Sequence, residues 1–262
     1  MGYEFITFEV KDGVGLICLN RPEDGNAITL EMAGELLAVA KRCEEDPEIR
    51  AVVLTGRGRM FCAGGDLKTF AVQGKQVSFY MEQVIQAFHE AILRFTWMDA
   101  PLVGAINGTA AGGGLSLALI LDIAVAGESA KFTVAYTKVG LTLDGGSSYF
   151  LARLVGLRRA KEMALLNPVL AARQALEWGL VNRVVADEQV LGTALEIAAE
   201  LAQGPTKAYG ETKRLILAGA TATLEAQLER EARAIAALAG SADGQEGMAA
   251  FMEKRAPRFK WE

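Results

Sequence analysis

The sequence predicts an α/β protein built around a largely parallel β-sheet, and three observations support this. Short apolar runs typical of buried strands alternate with segments of helical periodicity through the first half of the 262-residue chain. That alternation is typical of crossover units that join parallel strands. After residue 150, helical periodicity dominates in segments rich in Ala, Leu and Glu. Hydrophobic residues make up 51% of the chain, which is enough to bury a sizeable core.

The predicted elements follow in chain order. In the first half, an Asp12-Gly13 turn joins strands at residues 5–10 and 15–20 into a hairpin. Next come a helix at 28–43, a strand at 51–55, a helix at 83–95, a strand at 102–106 and a helix at 113–121. In the second half we expect helices at 151–166, 171–178, 187–201, 207–217 and 223–239, with one short strand at 182–185.

The composition of the chain argues against several binding partners, locations and mechanisms. The formal net charge of −5 gives no reason to expect nucleic acid, and no apolar run approaches the about 18 residues of a membrane helix. The N-terminus lacks a basic segment leading into an apolar one, so we expect no signal peptide. Cys18, Cys43 and Cys62 lie at no metal or disulfide spacing, so we expect a cytoplasmic protein without a metal site. His89, the one histidine, limits the available mechanisms.

A glycine cluster, Gly112-Gly113-Gly114, separates the strand at 102–106 from the helix that follows it. Backbone N–H groups at a helix start lack intrahelical partners, and they suit an anion or an oxygen that becomes negative during a reaction. The glycines could instead serve only to let the helix pack closely on the strand. From the residues alone, both interpretations stay open.

Two loops resemble those of one family. Residues 61–67, Phe-Cys-Ala-Gly-Gly-Asp-Leu, resemble the F-x-A-G-x-D-[LI] loop of the enoyl-CoA hydratase/isomerase (crotonase) superfamily. Residues 106–114, Ile-Asn-Gly-Thr-Ala-Ala-Gly-Gly-Gly, are similar to the N-G-x-A-x-G-G-G turn of that family. Further similar stretches lie at 19–27, 175–184 and 247–255, so the resemblance covers nearly the whole chain in order.

The resemblance implies a fold and an assembly. The fold would be a crotonase-like spiral of ββα units at residues 1–185, with a C-terminal helical trimerisation region at residues 186–262. Members of this family form trimers, often paired as hexamers, through those helices. Their substrates are acyl thioesters of coenzyme A, so coenzyme A is part of the substrate and no separate cofactor is expected.

The resemblance also implies residues for binding. The thioester carbonyl oxygen would lie between the backbone N–H groups of Ala63 and Gly113, which stabilise the charge of an enolate. The basic segment at residues 254–261 would contact an anionic part of the ligand rather than form a solvated terminus. The positions that match coenzyme A contacts are Ala27, Ala63, Gly64, Asp66 and Leu67, with Phe251 and Lys254 reaching the adenosine and its phosphates from a neighbouring subunit.

The reaction depends on the side chains around the acyl group. The two glutamates of the family's hydratases match Ser116 and Tyr136, which disfavours hydration because neither side-chain type titrates near neutral pH. Asp144 matches the aspartate of the family's isomerases, including the epoxide isomerase of phenylacetate degradation and the dienoyl-CoA isomerases. We therefore expect an isomerase in which Asp144 shuttles a proton and Tyr136 and Ser116 line or orient the site. Alternatively, Asp144 caps the helix starting near Ser147.

Other functions stay open. The 4-chlorobenzoyl-CoA dehalogenases of this superfamily resemble the chain in an aspartate nucleophile at Asp144 and a histidine base at His89. Tyr136 replaces their tryptophan, however, and Gly65-Asp66 replaces their aromatic pair. His89 could instead be a partly buried helix histidine with a backbone partner. An atypical hydratase and a catalytically silent CoA-binding homologue are further alternatives, whereas RNA binding fits poorly with the negative charge.

Overall fold

The computed structural model describes residues 2–261. Its strands are β1 (Ile6–Lys11), β2 (Val14–Leu19), β3 (Ala51–Gly56), β4 (Met60–Cys62), β5 (Leu102–Ile106), β6 (Thr109–Ala111), β7 (Ile123–Gly127), β8 (Lys131–Thr133), β9 (Leu170–Ala171) and β10 (Arg183–Val185). Its α-helices are α1 (Leu30–Glu45), α2 (Leu67–Ala71), α3 (Val77–Trp97), α4 (Gly113–Leu119), α5 (Ser147–Val155), α6 (Leu157–Leu166), α7 (Ala172–Glu177), α8 (Val190–Leu201), α9 (Thr206–Gly219), α10 (Leu224–Ala239) and α11 (Ala242–Glu253).

The strands form two sheets that wind the chain into a spiral. Within residues 2–261, six strands form the larger sheet in the order β1-β2-β3-β5-β7-β10, parallel except for the β1–β2 hairpin. The smaller sheet has the order β4-β6-β8-β9, in which β9 is antiparallel to β8. Each of β3, β5 and β7 is followed by a strand of the smaller sheet and then by a helical segment. These repeated ββα units confirm the predicted spiral.

The larger sheet separates two layers of apolar side chains. Alternate residues of β3 face opposite sides: Val52 and Leu54 join the core that contains α1 and α3, whereas Ala51 and Val53 pack with α8. Because both faces are covered, the strand is a continuous apolar run rather than an alternating one. The proposed division at residue 185 stays a prediction, and α8, which follows it, packs on the sheet.

Two helices differ from the predicted ones. Helix α3 begins before the predicted range of 83–95, because Val77 and Tyr80 also pack against the core. The single helix predicted at 151–166 is two helices, which meet at Gly156. That glycine has φ 82° and ψ 153°, a conformation that interrupts the helical hydrogen bonds.

Several short elements were not predicted. Strands β4, β6, β8 and β9 and helix α2 have between two and five residues each, too few to show a clear periodicity. Helix α11 contains Gly244 and Gly247, which weaken the helical pattern. Within residues 2–261, no helix combines the length and apolar character needed to cross a bilayer.

Candidate active site

The loop after β4 lies directly against the glycine turn at the start of α4. Gly64 has φ 98°, and a Cβ added there would lie 2.7 Å from the carbonyl oxygen of Ala111 and 3.0 Å from the amide nitrogen of Gly113. Glycine is needed for that approach. A Cβ added at Gly113 would lie 3.8 Å from the amide nitrogen of Gly65. The structure therefore brings together the two loops that the sequence singles out.

The hydrogen bonds correct one of the two predicted oxyanion donors. The N–H of Ala63 donates to the carbonyl oxygen of Gly25 at 2.9 Å, so it is already used within the fold. Within residues 2–261, the N–H groups of Gly65 and Gly113 have no acceptor, and both residues line the same cavity. The pair of free N–H groups is therefore Gly65 and Gly113, and Ala63 supports the loop instead.

Asp144 lies beside His89 at one side of this cavity. Asp144 belongs to the loop that leads into α5, and His89 projects from α3. The His89 Nε2 atom lies 2.7 Å from the Asp144 Oδ1 atom, and the two side chains are 46% and 28% exposed. The N–H of Gly145 also points at His89 Nε2, with 3.3 Å between the nitrogens. The two residues are thus paired across 55 positions of sequence.

The structure bears on both alternatives to a catalytic role, helix capping by Asp144 and a helix histidine with a backbone partner at position 89. Helix α5 has Gly146 at its N-cap position and no side-chain cap, so the Asp144 carboxylate does not cap it. Only the main-chain carbonyl of Asp144 serves the helix start, where it accepts from Ser147 N–H at 3.1 Å. The backbone partner expected for His89 is present as the longer Gly145 contact, whereas the shorter contact is to a carboxylate.

Ser116 and Tyr136 hold the main chain of Asp144. The Ser116 hydroxyl donates to the Asp144 carbonyl oxygen at 2.8 Å, and the Ser147 hydroxyl donates to the same oxygen at 2.8 Å. The Tyr136 hydroxyl lies 3.0 Å from Ser116 Oγ. Either hydroxyl can be the donor in that contact, and the Tyr136 hydroxyl also donates to the Asp144 carbonyl oxygen at 3.4 Å. Ser116 is fully buried and Tyr136 lines the cavity.

Tyr136 is unsuited to act as a base. Burial raises the pKa of its phenol well above the ordinary value, a shift that the Ser116 hydroxyl opposes and the Asp144 charge reinforces. Nor is there a reactive thiolate beside the loop, because burial raises the pKa of Cys62 to about 12. Among the described residues that line the cavity, Asp144 is the one with a carboxylate.

The cavity itself is apolar and has a volume of about 340 Å³. One wall comes from α2 and α3, another from residues 135–144, and the floor from the two glycine loops. Its apolar side chains are Ile28, Leu67, Phe70, Met81, Val84, Ile85, Phe88, Val139, Leu141 and Leu143. A cavity of this size and character suits the hydrocarbon part of a small ligand, with a few polar groups to orient it.

Arg21 ties together the predicted coenzyme A contacts near the loop. Its guanidinium donates to the carbonyl oxygen of Ala27 and lies 3.1 Å from the Asp66 carboxylate. Asp66 also accepts from Thr69 N–H at 3.1 Å, which caps α2. Although burial opposes the shift, the Thr69 N–H and the Arg21 guanidinium lower the pKa of Asp66. Asp66 is thus a structural anchor, and only Leu67 among the neighbouring predicted residues exposes much of its side chain.

The predicted C-terminal contacts lie apart from the cavity within one chain. Phe251 is 82% exposed, and neither it nor Lys254 lines the cavity. The basic tail folds back on α11: Arg255 pairs with Glu246, and Asp243 accepts from the main-chain N–H groups of residues 260 and 261. Most of the tail is therefore held by its own chain.

Arg21 and His89 are the residues that sequence reasoning undervalued. Arg21 lies in the Leu-Asn-Arg-Pro stretch, which resembles the family, but the sequence assigns it no role because its contact with Asp66 spans 45 positions. Among residues 2–261, no group of three or more His, Cys, Asp or Glu side chains could hold a metal ion.

Comparison with known proteins gives a consistent family. The enoyl-CoA hydratase/isomerase family model matches residues 9–262. A probable enoyl-CoA hydratase of Rhodobacter capsulatus is 40% identical over 99% of both chains, and the 1,2-epoxyphenylacetyl-CoA isomerase of Escherichia coli is 42% identical over 98% of both. A 4-chlorobenzoyl coenzyme A dehalogenase of an Arthrobacter species is 36% identical over 95% of this chain and 91% of its own.

Solved structures agree with the fold. A crystal structure from Mycobacterium abscessus, classed as an enoyl-CoA hydratase/isomerase, superposes with a TM-score of 0.93 at 38% identity, covering 98% of this chain and 100% of the other. The spiral of ββα units, the two facing glycine loops and the family match over residues 9–262 lead to one conclusion. The chain belongs to the enoyl-CoA hydratase/isomerase family of the crotonase superfamily.

Proposed function

We propose that the protein is an enoyl-CoA isomerase that shifts a double bond or rearranges an unsaturated acyl thioester of coenzyme A. The observation that carries this proposal concerns the apolar cavity formed by residues 2–261: it has one carboxylate, Asp144, and two backbone N–H groups without an acceptor. One carboxylate and two N–H donors suffice to move a proton between two carbons. The similarity to the E. coli 1,2-epoxyphenylacetyl-CoA isomerase supports the same reaction class.

The reaction proceeds in two proton transfers. The thioester carbonyl oxygen accepts hydrogen bonds from the N–H groups of Gly65 and Gly113. The Asp144 carboxylate removes a proton from the α-carbon of a β,γ-unsaturated thioester, or from the γ-carbon of an α,β-unsaturated one. The electron pair of the broken C–H bond forms a new C=C bond, and the π electrons shift toward the carbonyl oxygen to give a dienolate. The two N–H groups stabilise this negative charge. The Asp144 carboxylic acid then returns the proton to another carbon of the dienolate, which shifts the double bond and regenerates the carboxylate.

Hydration is disfavoured by the same geometry. Adding water needs one group to activate the water and an acid to protonate the carbon. At the positions where the family's hydratases resemble each other, Ser116 and Tyr136 donate hydrogen bonds within the protein. Neither hydroxyl is available to accept a proton from water, because the pKa of Tyr136 is raised and Ser116 is buried.

The test is turnover against enoyl-, dienoyl- and aryl-CoA thioesters, with the position of the double bond in each product determined by NMR. We expect isomerised products and no water adduct. A hydroxyacyl product as the main species would contradict the proposal in favour of an atypical hydratase. Binding of coenzyme A without turnover of any thioester would favour a catalytically silent homologue.

We further propose how the protein binds coenzyme A and assembles. The coenzyme A moiety would follow the Ala27 and Gly64 backbones and the Leu67 side chain, with Phe251 and Lys254 of a neighbouring subunit at its adenosine. This requires a homotrimer or a hexamer, and the exposed apolar side chains of α9 and α10, including Ile216, Leu224, Leu228 and Ile235, support such an assembly. We also propose a cytoplasmic location, supported by the three free cysteines.

A second candidate function is hydrolytic dehalogenation of an aryl-CoA. The observation that favours it is the 2.7 Å contact between His89 and Asp144, together with the similarity to the Arthrobacter dehalogenase. Asp144 would attack the halogen-bearing ring carbon, and halide would leave with its electron pair to give an aryl ester on Asp144. Water would hydrolyse that ester. Incubation with 4-chlorobenzoyl-CoA should then release chloride and add an aryl group to Asp144 by mass spectrometry, and neither would occur with an isomerase.

A further inference from the structure

The side chain and the main chain of Asp144 are hydrogen-bonded to different helices. Ser116 and Ser147 hold the carbonyl oxygen. The carboxylate has one partner within residues 2–261, the His89 imidazole on α3, which contacts Oδ1 and leaves Oδ2 without a hydrogen bond. Without His89, the Asp144 carboxylate would be free to rotate about its side-chain bonds although its backbone is fixed.

The direction of the His89 hydrogen bond follows from the chemistry of the partners. A carboxylate can only accept, so Nε2 carries the proton when Asp144 is ionised. The N–H of Gly145 points at the same nitrogen but would need a lone pair there. The two hydrogen bonds therefore exclude each other. The contact with Asp144 is shorter, 2.7 Å against 3.3 Å, and its acceptor is charged, so it is the stronger of the two.

We propose that His89 is a positioning residue: it donates its Nε2 proton to Oδ1 of Asp144 and leaves Oδ2 as the oxygen that exchanges protons with the substrate. This inference rests on the proposed isomerase function. The hydrogen bond persists through the reaction, because Oδ1 can accept both as part of a carboxylate and, more weakly, as the carbonyl oxygen of the protonated acid. His89 therefore neither gains nor loses a proton in the cycle.

This role differs from that of a base. An imidazole whose Nε2 bears a proton directed at Asp144 has no lone pair on that nitrogen with which to activate water. His89→Gln separates a positioning role from a role as a base. The glutamine amide nitrogen occupies nearly the place of Nε2 and can donate the hydrogen bond to Asp144, but it cannot accept a proton. The matched control is Gln86→Ala, an exposed residue on the same helix.

The kinetic experiment compares four proteins on the best enoyl-CoA substrate. We expect His89→Ala to lower kcat by about 10- to 100-fold with little change in KM, because a misplaced reacting group costs up to about 100-fold. His89→Gln should recover most of that loss, and Gln86→Ala should match wild type. Full activity of His89→Ala would overturn the proposal. Equal inactivity of His89→Gln and His89→Ala would also overturn it and assign proton transfer to the imidazole.

A spectroscopic experiment tests the hydrogen bond without substrate. His89 is the only histidine, so an untagged protein labelled with ¹⁵N-histidine gives one imidazole in a long-range ¹H–¹⁵N correlation spectrum. We expect the proton on Nε2 in wild type and a changed nitrogen shift in Asp144→Ala. A wild-type spectrum with the proton on Nδ1 alone would overturn the proposal. If wild type turns over no enoyl-CoA but shows the Nε2 proton, the proposed function fails while the His89–Asp144 pairing stands.

Discussion

The hydroxyl of Ser116 donates a hydrogen bond to the main-chain carbonyl of Asp144, 2.8 Å away, from the first turns of the helix that follows the glycine cluster. This contact links α4, whose first residue is Gly113, to the loop that carries the carboxylate. The N–H donor and the carboxylate are thereby fixed relative to each other. Ser116, whose presence in place of a glutamate argues against hydration, thus anchors the loop that contains Asp144.

Removing this link should affect activity and stability together. We expect Ser116→Ala to lower the free energy of unfolding by about 1 kcal/mol, the usual net contribution of one hydrogen bond. It should also lower kcat more than it changes KM, because the Asp144 loop loses one of its anchors. Urea denaturation and steady-state kinetics measure the two effects. Ser147→Ala removes a second hydroxyl that donates to the same carbonyl at 2.8 Å, and it should behave similarly. A Ser116→Ala enzyme with unchanged kcat would show that the link is only structural.

Asp144→Asn tests the proton carrier directly. An asparagine amide is nearly isosteric with the carboxylate but cannot accept a proton from carbon. We expect kcat to fall by at least about 100-fold, the lower range of contributions from general acid–base catalysis. Affinity for coenzyme A, measured by calorimetry, should be unchanged because Asp144 lines the apolar cavity, where we propose that the acyl group binds. Wild-type turnover in this variant would rule out Asp144 as the carrier.

Gly64→Ala tests the contact between the two glycine loops. Gly64 has φ 98°, and the added Cβ would lie 2.7 Å from the Ala111 carbonyl oxygen, so the loops must separate. We expect backbone strain to lower the free energy of unfolding by about 1–3 kcal/mol. We also expect kcat to fall, because the N–H groups of Gly65 and Gly113 move apart with the loops. Gly140→Ala is the matched control, since Gly140 also has a positive φ, 74°, but no atom within 4 Å of the added Cβ. It should lose stability and keep its activity.

Asp66 should make stability depend on acid pH. The pKa of Asp66 is lowered in the folded protein, so the unfolded chain binds a proton more readily. Its contribution is therefore complete above the ordinary carboxyl pKa and is lost as pH falls through the lower folded value. Asp66→Asn should reduce the free energy of unfolding at neutral pH, and its difference from wild type should shrink below about pH 4. Glu177→Gln, an exposed carboxylate on α7, should track wild type throughout.

The exposed apolar face of α10 should hold the assembly together. Leu228 and Ile235 are 55% and 71% exposed, so their replacement by aspartate disturbs no core. We expect the Leu228→Asp, Ile235→Asp double variant to elute as a monomer in size-exclusion chromatography with light scattering, whereas wild type elutes as a trimer or hexamer. KM for the acyl-CoA should rise in the monomer because it lacks the neighbour's Phe251 and Lys254. A monomeric wild-type protein would contradict this prediction.

The sequence predicted the site where local signals are strong. The glycine turn, the loop after β4 and Asp144 each have a recognisable pattern, and the structure brings them together. The resemblance assigned the donor to Ala63, however, although Gly64 and Gly65 beside it also have backbone N–H groups. Which of them stays free depends on the Gly25 carbonyl, which lies in a separate segment. The prediction of Ala63 failed for that reason.

Local patterns could not reveal pairings across long sequence distances, and only the resemblance to the dehalogenases placed His89 and Asp144 in one site. His89 belongs to a helix and Asp144 to a loop 55 residues later, and nothing local in either segment requires the other. The short strands of the smaller sheet are a similar case, because two or three residues carry no periodicity. These strands pair because successive ββα units place them side by side.

The three backbone hydrogen bonds that join residues 25–28 to residues 63–66 have a consequence for the rate of reaction. Gly25 accepts from Ala63, Ile28 donates to Gly64, and the Ile28 carbonyl accepts from Asp66, so the Gly65 amide is clamped on both sides. In the proposed reaction, the Gly65 N–H therefore points toward the thioester oxygen, where negative charge develops, before any substrate binds. The free-energy cost of orienting the Gly65 amide arises during folding. It therefore does not add to the activation free energy of each turnover.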